Sequence, residues 1–136
     1  MSSSNVSSKW SSYGPYLKSV LRIVAAILFM SAGTMKIFGI PSGMPGGGTV
    51  PLISEIGLAG MLEVVGGLLL LIGLFTRPVA FILAGEMAVA YFQGHAMHGF
   101  WPLINGGQPA ILYCFIWLFF SSDGAGPWSI DAKRGR

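Results

Sequence analysis

The sequence predicts an all-α integral membrane protein, a four-helix bundle with both termini on the same side. Three observations carry that expectation. Of 136 residues, 53% are hydrophobic and only 10% are charged, where a soluble domain usually carries about 25% charged residues. The apolar residues fall into four blocks, each near the roughly 20 residues that a helix needs to cross a ~30 Å hydrocarbon core. The basic residues collect almost entirely at one set of block ends.

The elements follow in chain order. Residues 1–16 are rich in serine and read as a flexible tail. They lack the basic region, short apolar run and small-residue cleavage site of a removable signal peptide. The first span runs from about Leu17 to Phe38. The segment Ile40–Ser54, IPSGMPGGGTVPLIS, is an uncharged Gly/Pro loop that lies on the membrane surface or folds back over the bundle. The second span runs from Glu55 to Phe75, and Thr76, Arg77 and Pro78 form a tight turn. The third extends from Pro78 or Val79 to about Met97. The fourth starts between Trp101 and Pro109 and ends near Phe120. Pro109 lacks an amide proton and suits a first helical turn, which leaves a short helix after it. The membrane domain is then residues 17–121, followed by a C-terminal tail, 122–136.

Charge sets the orientation. An even number of spans puts Lys9, Lys18, Arg22, Arg77, Lys133, Arg134 and Arg136 on one side, against Lys36 alone on the other. Positive residues stay cytoplasmic, so both termini and the Arg77 turn are expected inside. The Ile40–Ser54 and His98–Ile104 loops are expected outside. Trp10, Tyr13, Tyr16 and Trp101 read as interfacial anchors. The net charge of +3 is scattered rather than gathered into a patch, which argues against nucleic acid as a partner. The single cysteine, Cys114, excludes an internal disulfide or a CxxC relay.

Glu63 stands within the second apolar block, GMLEVVGGLLLLIGLFTRP. At 100° per residue its face carries Gly60, Gly66 and Gly67, a surface suited to close helix approach. An ionised group in hydrocarbon costs at least ~2.5–3.5 kcal/mol on insertion scales, so it needs a partner or a wet cavity, or it stays protonated. On the first span, Arg22, Ala26, Phe29, Gly33 and Lys36 form one stripe. Lys36 lies at the outer end, and Asn105 and Gln108 enter the fourth span from that same side, on one face. Lys36, Glu63, Asn105 and Gln108 are therefore the candidate ligand-binding group. Two readings stand beside each other: an ion pair and amides that hold helices together, or a pocket for a quinone or lipid-like head group. Ion or solute translocation is a third.

The third span presents Glu86, Ala90, Gln93 and Met97 on one face and Met87, Tyr91, His95 and His98 on the other. Glu86 is an intramembrane acid of unknown role. His95 and His98 have the spacing of two metal ligands, but two nitrogens without a third ligand make a weak metal site. No metal is expected.

The stretches RIVAAILFMSAGTMKIFG, GLAGMLEVVGGLLLLIGLFTRPVAF, GEMAVAYF, NGGQPAILY and GAGPWSID together resemble the DoxX family of small four-span bacterial membrane proteins. The resemblance covers about Val20 to Asp131. It implies a multi-pass protein of the bacterial cytoplasmic membrane, associated with oxidoreductase systems. One related subunit belongs to a thiosulfate:quinone oxidoreductase, and another member is found beside a superoxide dismutase and a sulfurtransferase. By motif, Lys36, Glu63, Arg77 and Asn105 match the family's polar positions. The chain departs where the family often reads NGGEL, because Gln108 and Pro109 stand in its NGGQP.

The expected function is an accessory subunit of a membrane oxidoreductase system, with a structural anchoring subunit or a small transporter as alternatives. The sequence shows no nucleotide fold, flavin motif, cluster cysteines or haem pair. No covalently bound cofactor is expected, and a diffusible quinone is the candidate redox ligand. Partners beyond the lipid bilayer are other membrane or redox subunits, or further copies of the chain.

Overall fold

The structure, a computed structural model, describes residues 3–135, and these are helical with no strands. A short helix α1 (Ser3–Ser11) precedes α2 (Gly14–Phe38), α3 (Glu55–Ile72) and α4 (Thr76–Gly94). A 3-10 turn (Ala96–His98) and α5 (Pro102–Asn105) lead into α6 (Gln108–Asp123) and a final turn, α7 (Ile130–Lys133).

Local chemistry sets the boundaries. Pro15 occupies the first turn of α2, where a missing amide proton costs nothing. Gly39 ends α2 at φ 70°, and Gly73 ends α3 at φ 70°, both in the left-handed region that glycine enters without a Cβ penalty. Ser54 opens α3, its hydroxyl accepting the Gly57 amide at 3.0 Å. The Gly/Pro loop folds back, and the Val50 amide donates to the Lys36 carbonyl at 3.0 Å.

Several boundaries differ from expectation. The serine-rich segment is helical over Ser3–Ser11 rather than an irregular tail, and α2 starts at Gly14. The second hairpin turns at Gly73–Phe75, so Thr76, Arg77 and Pro78 are the first turn of α4. The fourth block is broken at Gly106 and Gly107, because Gly106 adopts φ 77° between α5 and α6. Among the described residues, two helices, α2 and α3, are long and apolar enough to cross a membrane, with mean hydropathies of 1.7 and 2.0. The 19-residue α4 is long enough but less apolar, and α6 has 16 residues.

Helix α2 lies along α3, and α4 along α6; contacts between α3 and α4, and fewer between α2 and α6, join the two pairs. Phe29 of α2 fills the space between them, edge-on to Trp117 at 5.5 Å and to Tyr113 at 5.1 Å. Small residues allow the close approach on the α2–α3 seam. A Cβ on Gly33 would stand 2.7 Å from the Gly60 carbonyl oxygen, and one on Gly67 would run into the Met30 side chain.

Candidate functional site

Lys36 stands in the last turn of α2, and Glu63 lies midway along α3. Gly33 and Gly60 bring the two backbones together beside them. A Cβ on Gly60 would meet the Lys36 Cβ at 3.2 Å. The Lys36 ammonium donates to both Glu63 carboxylate oxygens, at 2.6 and 2.7 Å. The Glu63 side chain is only 2% exposed, and that of Lys36 is 20% exposed. A buried carboxylate is tolerable only when paired in this way. The Lys36–Glu63 pair is thus an ion pair across a closed seam.

Glu86 of α4 completes the group, and sequence reading had left it separate. A Cβ on Gly66 would press against Leu83, which fixes the register of α3 against α4. Those helices are antiparallel, and Glu63 and Glu86 lie equally far from their turn. Glu86 accordingly faces Glu63 and Lys36. Both Glu86 carboxylate oxygens are buried, with no hydrogen-bond partner among the described residues. The symmetry of the hairpin about Leu74 and Phe75 was the available signal.

Asn105 and Gln108 do not join this cluster through any hydrogen bond or ion pair in the structure. The Asn105 amide donates to the Tyr91 hydroxyl at 3.2 Å and to the Gly99 carbonyl at 3.0 Å. Its side-chain oxygen accepts from the Gly107 amide at 2.8 Å. Asn105 therefore ties the broken fourth helix to α4, a role created by the break itself. Gln108 is exposed at the first position of α6. The expected one-face pairing of Asn105 and Gln108 fails because no continuous helix carries both.

The histidines separate for a similar reason. Helix α4 ends at Gly94, and His95 is its C-cap at φ −128°. His95 Nδ1 lies 3.1 Å from the Asn105 carbonyl oxygen, and its ring stacks on Tyr91. His98 is exposed in the 3-10 turn. Among the described residues, no group of three His, Cys, Asp or Glu side chains is arranged to hold a metal ion.

A second polar centre sits at the other end of α2. Arg22 is fully buried. Its guanidinium donates to the Leu70 carbonyl at 2.7 Å, the Leu71 carbonyl at 3.4 Å, the Trp128 carbonyl at 2.7 Å and the Ala125 carbonyl. Leu70 and Leu71 lie in the last turn of α3, whose carbonyls lack intrahelical partners and carry the negative end of the helix dipole. The segment after α6 is thereby clasped against the end of α3 and the side of α2.

Asp131 fastens the same segment. Its carboxylate accepts from the Phe75 amide at 3.0 Å and the Thr76 amide at 2.8 Å. Phe75 has φ 54°, unusual for a bulky residue, and Asp131 holds its amide in place. Burial alone would favour the neutral acid, but the Thr76 and Phe75 hydrogen bonds outweigh it and hold the Asp131 carboxyl below the usual aspartate range. Beside it, Arg77 donates to the Ser122 carbonyl. Lys18 pairs with Asp123 at 2.8 Å, and that hydrogen bond lowers the Asp123 carboxyl below its ordinary value. Nothing local in the sequence marks these contacts, because most of the acceptors are backbone carbonyls.

Comparison with known proteins bears on the whole assembly. The chain is 44% identical over 124 residues to an uncharacterized protein of Haemophilus influenzae, covering 89% of this chain and 92% of that one. No solved structure matches. The DoxX family model matches residues 17–96, which take in the Lys36–Glu63–Glu86 group and the hairpin turn. The chain belongs to the DoxX family.

Proposed function

We propose that this protein is a four-span subunit of the bacterial cytoplasmic membrane, with both termini cytoplasmic, that serves a membrane oxidoreductase system as an anchoring component. Electron transfer belongs to its partners. The observation that carries this reading is the state of the α2–α3 seam. Lys36 is held by both oxygens of Glu63, and Gly33 and Gly60 bring the helix backbones into contact around the pair. These polar groups are spent on each other, as polar residues between membrane helices commonly are. The association with redox systems comes from the family resemblance.

The four-span topology draws support from the distribution of charge. Lys18, Arg22 and Arg77 all bind the segment that follows α6 or its last turn. The start of α2, the α3–α4 turn and the end of α6 therefore meet at one basic end of the molecule, in keeping with the positive-inside rule.

Two measurements test the proposal. Cysteines placed at Gly46–Gly48 should react with an impermeant thiol reagent outside intact cells, whereas cysteines after Trp128 should not. The full chain, isolated in mild detergent, should retain a larger redox partner and carry no stoichiometric quinone. Bound quinone, lost in Lys36→Ala, would instead favour a ligand site that opens the α2–α3 seam.

A further inference from the structure

We propose that Lys36, Glu63 and Glu86 form an intramembrane proton-binding site, in which one exchangeable proton is held between the two carboxyl groups. The geometry comes first. Three helices each contribute one ionisable group at one level of the bundle. The Gly33–Gly60 contact sets the Lys36–Glu63 pairing, and the Gly66–Leu83 contact sets Glu63 against Glu86. The fourth long helix, α6, brings the Tyr113 phenol within reach of the Glu63 charge. The other cations on this side of α2 are committed at the far end, Arg22 to carbonyl oxygens and Lys18 to Asp123.

Charge counting then leaves one group unbalanced. The ammonium of Lys36 is held by the two oxygens of Glu63 and makes no hydrogen bond to Glu86. Both oxygens of Glu86 are buried without a donor. A carboxylate in that position would bear the full penalty of an unpaired buried charge. One proton removes it. An O–H bond forms on a Glu86 oxygen, the proton being taken from water with release of hydroxide, and the new hydroxyl donates to the Glu63 carboxylate. The triad is then neutral: one ammonium, one carboxylate, one carboxylic acid. A metal cation fits less well, because the Lys36 ammonium already occupies the cation position.

The site also has a mechanical consequence. Removing the proton sets two carboxylates against one ammonium in a closed interface, which favours parting of α3 from α4. Proton occupancy and the closure of that seam are thereby linked. The inference requires only the helix contacts above and stands independently of any redox partner.

Infrared spectroscopy of the full chain in lipid nanodiscs at neutral pH tests it. The wild type should show one protonated-carboxyl C=O band that shifts in D2O. Glu86→Gln, which keeps the shape and neutrality of the acid form, should lose that band and keep its helical circular dichroism. Lys36→Met should gain a second band, because both acids then need a proton. Absence of the band in the wild type, or its persistence in Glu86→Gln, would overturn the proposal. So would stabilisation by sodium or potassium ions at fixed pH that Glu86→Gln abolishes, since the site would then hold a metal cation.

Discussion

Arg22 and Lys36 lie on one stripe of helix α2, and these two cations are satisfied in opposite ways. Arg22 is surrounded by carbonyl oxygens from the end of α3 and from the segment after α6. Lys36 faces a full carboxylate, with a second carboxyl behind it. The planar guanidinium spreads its donors over several carbonyls at once, which a compact ammonium cannot do. Arg22 is thus a fixed clasp whose partners do not titrate. The Lys36 group contains acids and can change its charge. The contrast separates a cation held by backbone carbonyls from one held by carboxyl groups, and on the proposal above only the second site responds to protons.

The clasp gives the largest expected effect. Arg22→Met should destabilise the protein by about 3–5 kcal/mol, because the carbonyls of Trp128 and Leu71 lose their donor while those of Leu70 and Ala125 keep only the Gly73 amide and the Ser19 hydroxyl. Arg22→Lys should rescue little, since one ammonium cannot reproduce the fork. The midpoint of thermal unfolding in detergent measures both. A mild effect of Arg22→Met would erase the distinction between the two cations.

The second test sharpens the other side. Gly33→Ala places a Cβ 2.7 Å from the Gly60 carbonyl oxygen and 2.9 Å from the Glu63 Cβ. Overpacking of this kind costs about 1–3 kcal/mol. Gly85→Ala is the control, because nothing stands within 4 Å of its added Cβ. That change should be neutral or stabilise by about 0.5–1 kcal/mol through the better helix former. Equal effects at the two glycines would mean that the α2–α3 seam is not closed in the membrane.

A double-mutant cycle addresses the ion pair itself. Lys36→Met and Glu63→Gln should couple by about 0.5–2 kcal/mol, the range of interacting polar groups between membrane helices. Glu63→Leu should be worse than Glu63→Gln, because the amide can still accept from Lys36. Purely additive effects would show that the two residues do not meet.

How much of this was legible in the sequence depends on which atoms make the contact. The Arg22–Ala26–Phe29–Gly33 stripe and the glycine face around Glu63 follow from helical periodicity, and both are buried in the structure. The Lys36–Glu63 pair follows from those two faces plus depth. Glu86 was within reach by measuring equal distances from the hairpin turn. Asn105 was not, because its partners depend on the chain breaking at Gly106 and Gly107. The Arg22 clasp was not either, since its acceptors are backbone carbonyls that every residue possesses. Sequence patterns report side chains and periodicity; they do not report where a loop returns.

The smallest predicted effect lies beside the Arg22 clasp and concerns Asp131, which fastens the same segment. Asp131 holds the amides of Phe75 and Thr76, so Asp131→Asn should cost about 1 kcal/mol, as loss of a charged cap does. Its carboxyl is held below the ordinary aspartate value of 3.8. A lowered native value means that the unfolded chain binds a proton more readily. The stabilisation is therefore complete above the unfolded value and fades as pH falls through the native one. Between pH 7 and pH 5 the difference in unfolding midpoint between wild type and Asp131→Asn should stay constant, and below about pH 4 it should shrink. A difference that instead varied across the neutral range would place a titrating group in the clasp. The division between a site that responds to protons and one that does not would then fail.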